Sequence, residues 1–225
     1  MLSGEFCTSL KGDTGAMDLI FREDAYAKEC AATVTAVDDK GVWLDRTVFY
    51  AEGGGQPGDA GVLVGADGTE YRGTNAVKGD GPDTSGCVLA EGAGAPAVGE
   101  SVTGRIDWTR RHKLMRMHTA MHLRCATVPA GVTGGQVGLE KSRLDFDIGD
   151  STLDKAAIQA SLDAAQARGA AVSYRWIDSA ELAANTDRVR TMSGQPPRTG
   201  GRVRLVEIGE GAVDLQPCGG THVAH

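Results

Sequence analysis

His118 and His122 stand four residues apart, and so do Cys218 and His222 near the C-terminus. Residues 107–127 carry helical periodicity, so the two histidines project from one helix face with a rise of ~6 Å. That spacing brings both imidazoles within the ~2.1 Å reach of one zinc ion. Gly219 and Gly220 lie inside the second pair and disfavour a helix there. They permit a tight loop that wraps a thiolate and an imidazole round the same ion. A single zinc held by all four residues therefore constrains the fold: a central helix and the last loop must meet. Spacing alone also admits His118 as an ordinary helix residue and Cys218 as a buried thiol. A zincin protease is disfavoured, because that motif needs Glu directly after the first His and Thr119 stands there.

Ahead of the helix, short stretches rich in Val, Thr and aromatics alternate with glycine and proline turns. Strands are expected over 30–37, 41–49, 62–64, 69–72 and 87–89, with Asp38-Asp39-Lys40-Gly41 as a hairpin turn. Gly53-Gly54-Gly55-Gln56-Pro57-Gly58-Asp59 reads as a loop. This punctuation suggests a small β-barrel. The helix over 107–127 ends before Pro129 and Gly131, with Leu114, Met117, Met121 and Cys125 as its apolar stripe. Strands are then expected over 136–139, 143–148, 172–177, 202–208 and 213–215. A helix capped by Ser151 runs over 152–168, and a short one over 179–184. Residues 194–201 read as a mobile loop. The fold class is α+β. A disordered leader is expected over 1–16, a glycine-rich barrel-like domain over 17–98, and an antiparallel sheet packed with helices over 99–225.

The net charge is −7, which argues against whole-surface binding to nucleic acid. Residues 105–124 nevertheless hold Arg105, Arg110, Arg111, Lys113, Arg116 and Arg124 against Asp107 alone. Such a strip suits a partner gripped at one place, but charge alone favours a solvated helix face. No apolar run approaches the ~20 residues of a membrane span, and the N-terminus lacks a secretory pattern. The five cysteines are scattered, with no Cys-x-x-Cys pair. A reduced, cytoplasmic setting is expected.

The stretch from Arg111 to Leu123, with His118 and His122, and the stretch Cys218-Gly-Gly-Thr-His222 resemble the editing domain of alanyl-tRNA synthetases. They resemble still more the free-standing alanyl-tRNA editing proteins of AlaX-like, medium-length type. Phe49 to Asp59 looks like the glycine-rich motif that precedes that domain, and Gln136-Val-Gly138 and Leu144-Asp-Phe-Asp147 also match. The likeness runs from Met17 to His222. The sequence departs from the family pattern at Leu139, where members carry a small hydroxyl residue, and in ending three residues past His222.

The resemblance implies hydrolysis of the ester joining serine, or glycine, to alanine tRNA, with zinc on His118, His122, Cys218 and His222. It places Gln136 in the amino-acid pocket and makes Gly53, Gly54, Gly55 and Gln56 candidate contacts. Thr119 is a further polar candidate, or bonds within its own helix. Arg110, Arg111, Lys113 and Arg116 become candidates for acceptor-end phosphates. The chain carries no ATP-binding fingerprint, so it would act in trans on tRNA already charged, as a monomer. No catalytic residue is singled out. The rival reading is a tRNA-binding module with a structural zinc and no turnover.

Overall fold

Alternating apolar residues make the first half of the chain a run of short strands, and a computed structural model describes residues 17–81, 83–183, 198–199 and 201–225. The leader expected over 1–16 lies outside the described residues, as does most of the loop expected over 194–201. In chain order the strands and helices are β1 (Asp18–Leu19), β2 (Glu29–Val37), β3 (Val42–Leu44), β4 (Arg46–Thr47), β5 (Gly61–Gly65), β6 (Glu70–Val77), β7 (Gly86–Leu89), β8 (Ser101–Ile106) and α1 (Trp108–Thr127). They continue as β9 (Gly131–Gln136), β10 (Arg143–Asp147), α2 (Lys155–Ala167), β11 (Val172–Asp178), α3 (Ser179–Ala183), β12 (Arg198–Thr199), β13 (Arg202–Ile208) and β14 (Asp214–Pro217).

Six strands close an antiparallel barrel in the order β2-β3-β7-β6-β5-β8. Its interior is filled by Val34, Val42, Leu44, Val48, Phe49, Leu63, Val102 and Ile106. Closure depends on β8, which pairs with both β2 and β5. The barrel therefore runs to Ile106, beyond the boundary expected at residue 98. Gly104 masked that strand in the sequence. A Cβ there would stand 3.0 Å from the Phe49 ring, so the gap in the apolar pattern is room for an aromatic.

The second half is built on α1, capped by Asp107, whose side chain accepts from the Arg110 N–H. The buried face of α1 carries Arg111, Leu114, Met115, His118, Thr119, His122 and Cys125. The expected stripe held two of these; Met117 and Met121 are only half-buried. The β9–β10 hairpin, and a sheet in which β13 pairs with β11, β12 and β14, complete this half. Two elements differ from expectation. Helix α2 starts at Lys155, not near Ser151, because the Asp154 carboxylate accepts from both Ala156 and Ala157 N–H groups. The strand expected over 136–139 lies earlier, over 131–136, where its glycines make room for neighbours: a Cβ on Gly135 would meet Leu144 and Met121.

Arg111 ties the two halves together. It is 0% exposed. Its Nε donates to both Asp59 carboxylate oxygens at 3.0 Å, and its Nη2 also pairs with Asp59. Nη1 and Nη2 donate to the carbonyls of Ala25 (2.9 Å) and Val48 (2.6 Å), and Asp59 accepts from the Tyr50 N–H at 2.7 Å. Arg111 thus leaves the list of phosphate contacts, because a guanidinium sealed against a buried carboxylate cannot reach a ligand outside.

Candidate metal centre

Packing of α1 on β14 and on the C-terminal loop brings His118, His122, Cys218 and His222 to one point, with one ligand atom of each lying within 4.8 Å of the others. The Cys218 Sγ stands 3.5 Å from His118 Nε2 and 3.3 Å from His222 Nε2. A tetrahedral zinc with ordinary bond lengths sets its donors about 3.3–3.6 Å apart. The approach needs Gly220: a Cβ on it would stand 2.2 Å from the His118 ring.

Each imidazole is oriented from behind. His118 Nδ1 lies 2.7 Å from Gln56 Oε1, and that amide is itself held by Thr221 through Nε2–Oγ1 (2.8 Å) and N–Oε1 (3.1 Å). His122 Nδ1 donates to Asp214 Oδ2 at 2.8 Å, a carboxylate also bonded by Gln216 at 2.8 Å. His222 Nδ1 lies 3.2 Å from Thr119 Oγ1. With every Nδ1 proton accepted behind the ring, each Nε2 lone pair is left for a metal.

The charge states of Cys218 and His222 match that use. Burial opposes a thiolate at Cys218, yet His118 and His222 beside it outweigh burial and hold its pKa well below the ordinary thiol value. Burial, with help from His118, pushes His222 down to about 3, so its ring is neutral. Burial also disfavours charge on His122, but the Asp214 carboxylate and Cys218 overcome it and raise its pKa to about 9, so this ring holds an Nε2 proton that a metal ion would displace on binding. A thiolate with three nitrogen donors is a borderline-soft set that fits zinc. Cys218 is the one member that is partly exposed as a residue.

The other expected residues divide. Gly53 to Gln56 form a tight turn closed by mutual backbone bonds of 3.1 and 3.0 Å, with φ of 57° at Gly54 and 79° at Gly55. Left-handed backbone at both central positions is why glycines stand there. This turn docks on β9: the Val137 N–H donates to the Gly55 carbonyl at 2.8 Å, and a Cβ on Gly55 would meet the Gly135 carbonyl at 2.6 Å. Exposed Gln136 thus sits beside the loop whose last residue touches His118. Gln56 and Thr119 are buried, and their polar atoms are engaged with the histidines and the C-terminal loop. Arg110 is half-buried and reaches the Gly58 carbonyl at 3.2 Å, while Lys113 and Arg116 are exposed.

A family model for class II tRNA synthetases (A) matches residues 16–110. The chain is 40% identical over 208 residues to an alanyl-tRNA editing protein AlaX-M of Methanosarcina barkeri, covering 89% of this chain and 84% of that protein. The AlaX-M of Methanosarcina acetivorans is 36% identical, covering 92% and 87%. This chain belongs to the alanyl-tRNA editing protein AlaX-M family. Alanine-tRNA ligase of Halobacterium salinarum is 34% identical over 94% of this chain, which spans only 24% of that enzyme.

Sequence patterning had not singled out Asp214 or Gln216 in this family member. Their signal is an inverted alternation on β14, with the polar residues buried and Leu215 between them half-buried. Asp214→Asn should weaken metal affinity about 10- to 100-fold with the fold intact, because it removes the charge that orients His122. Chelator competition measures this; unchanged affinity would show that the carboxylate is only a packing group.

Proposed function

We propose that this chain is a trans-editing hydrolase that removes serine, or glycine, from mischarged alanine tRNA by cleaving the aminoacyl ester at a zinc-containing site. The observation that carries the reading is the convergence of one thiolate and three oriented imidazoles in a chain 40% identical to a protein named for alanyl-tRNA editing. Such a second site has a physical purpose. An activating pocket built for alanine rejects a ligand with one extra hydroxyl by only on the order of 100-fold. A site that hydrogen-bonds that hydroxyl reverses the preference, since alanine would leave its polar groups unpaired.

Zinc bound by His118, His122, Cys218 and His222 would supply a fixed positive charge and a Lewis acid beside the ester. The chain's own residues do the rest. Gln56, Asp214 and Thr119 lock the imidazoles. The partly exposed Cys218 side is where the ester approaches. Gln136, with the Gly53–Gln56 turn beside it, forms the wall that meets the amino acid. Lys113 and Arg116 meet acceptor-end phosphates along the exposed face of α1, and Arg110 flanks them. The enzyme of this reading is cytoplasmic and works as a monomer; no described helix is long and apolar enough to cross a membrane.

Deacylation of serine-, glycine- and alanine-charged tRNA(Ala), measured side by side, tests this. Loss of serine or glycine well above the spontaneous rate, with alanine retained, is expected. A second reading, a tRNA-binding module with structural zinc, is favoured by one feature: four protein ligands are the pattern of a closed site. Tight binding of the tRNA with no ester loss in the zinc-loaded chain would select it.

A further inference from the structure

Arg204 on β13 is 5% exposed, and among the described residues no carboxylate forms a direct ion pair with it, although the Glu23 charge acts on it at longer range. Its Nη1 donates to the carbonyls of Cys218 (3.2 Å) and Gly220 (3.0 Å). Its own carbonyl accepts from the Cys218 N–H at 3.1 Å. The guanidinium lies 4.5 Å over the Tyr174 ring, and its buried Nε has no hydrogen-bond partner among the described residues. Tyr174 is fixed in turn: its hydroxyl lies 3.1 Å from the Glu23 carboxylate and also bonds the Glu23 carbonyl, and the Trp176 Nε1 donates to the same carboxylate at 3.3 Å.

A buried cation with no ion pair to a carboxylate among the described residues is costly, and an apolar side chain of like volume would serve the packing better. What the guanidinium contributes lies at the two loop carbonyls. They flank the Gly219 linkage, so holding both fixes the direction of the Cys218 side chain and the pass of Gly220 against the His118 ring. Both bonds come from Nη1 while the guanidinium lies over the aromatic ring; a lysine ammonium could donate to the carbonyls but lacks the flat face that stacks on Tyr174.

We propose that Arg204 is the positioning residue of the metal loop and that Glu23 and Tyr174 set Arg204, so that the place of the Cys218 sulfur depends on a residue near the N-terminal end of the described chain. The proposal rests on the reading of the four-residue cluster as a metal centre and is independent of the reaction.

Cobalt(II) titration of the full chain tests it, because the cobalt–thiolate charge-transfer band reports the sulfur's geometry. The unaltered chain should bind one cobalt with that band. Arg204→Met should weaken affinity about tenfold or more and shift the band. Arg204→Lys should restore only part of both, and Tyr174→Leu should move both in the same direction by a smaller amount. Wild-type affinity and spectrum in Arg204→Met would overturn the proposal. If Arg204→Met fails to fold, Tyr174→Leu and Arg204→Lys decide, and a wild-type spectrum in both overturns it. An unaltered chain that takes up no cobalt would overturn the metal centre and this proposal together; uptake with unmoved variants overturns this proposal alone.

Discussion

Cys218→Ala should leave a folded chain that holds metal at least ~100-fold more weakly and deacylates seryl-tRNA(Ala) at a correspondingly reduced rate. The size follows from comparison. Partners behind a ligand are worth about 10- to 100-fold in metal affinity, and Cys218 is itself one of the four converging donors. It is also the only anionic donor among them. Its loss removes the charge that compensates the cation and the group that the C-terminal loop is bent to deliver. Stability should fall little in the metal-free state, since the side chain is small and partly exposed. Metal content by elemental analysis and the deacylation rate check both halves. Retention of stoichiometric zinc and full rate in Cys218→Ala would contradict the four-ligand centre.

The largest effect on stability is expected away from the metal. Asp59→Ala strands the Arg111 guanidinium, which is 0% exposed and has no other carboxylate contact among the described residues. Breaking a buried pair on one side typically costs about 3–5 kcal/mol, which for a chain of this size lowers Tm by roughly 10 °C. The Asp59→Leu, Arg111→Met double variant should recover much of that loss, because removing both charges removes the burial penalty too. Thermal unfolding followed by circular dichroism tests the pair. If Asp59→Ala melted with the unaltered chain, the pair would contribute nothing to holding the barrel against α1.

Why some of this was readable in the sequence and some not has a physical basis. The metal quartet rests on local spacing: four residues on a helix and four across a diglycine each fix a geometry without knowledge of the fold. The strand over Arg202–Ile208, rich in Val, Leu and Ile, was equally plain, although its burial does not alternate and takes in Arg204. Residues acting through long-range contacts were not. Gln56 looked like part of a pocket loop, yet its amide spans to His118 and Thr221, 62 and 165 positions away. Thr119 looked like a pocket group or a helix-bonded hydroxyl and is spent on His222. Arg111 looked like its neighbours in a basic strip. Only the helix's orientation against the barrel separates it from Lys113 and Arg116. The barrel's last strand escaped because Gly104 replaces an apolar residue where Phe49 occupies the interior.

The most direct test of the central claim is a metal titration of activity. The chain is stripped with a chelator, and zinc is returned stepwise while hydrolysis of seryl-tRNA(Ala) is followed. The account predicts that stripping abolishes hydrolysis, and that the rate then climbs linearly and breaks at one zinc per chain. Hydrolysis that persists undiminished in the stripped chain, or that fails to follow zinc as it is returned, would contradict it.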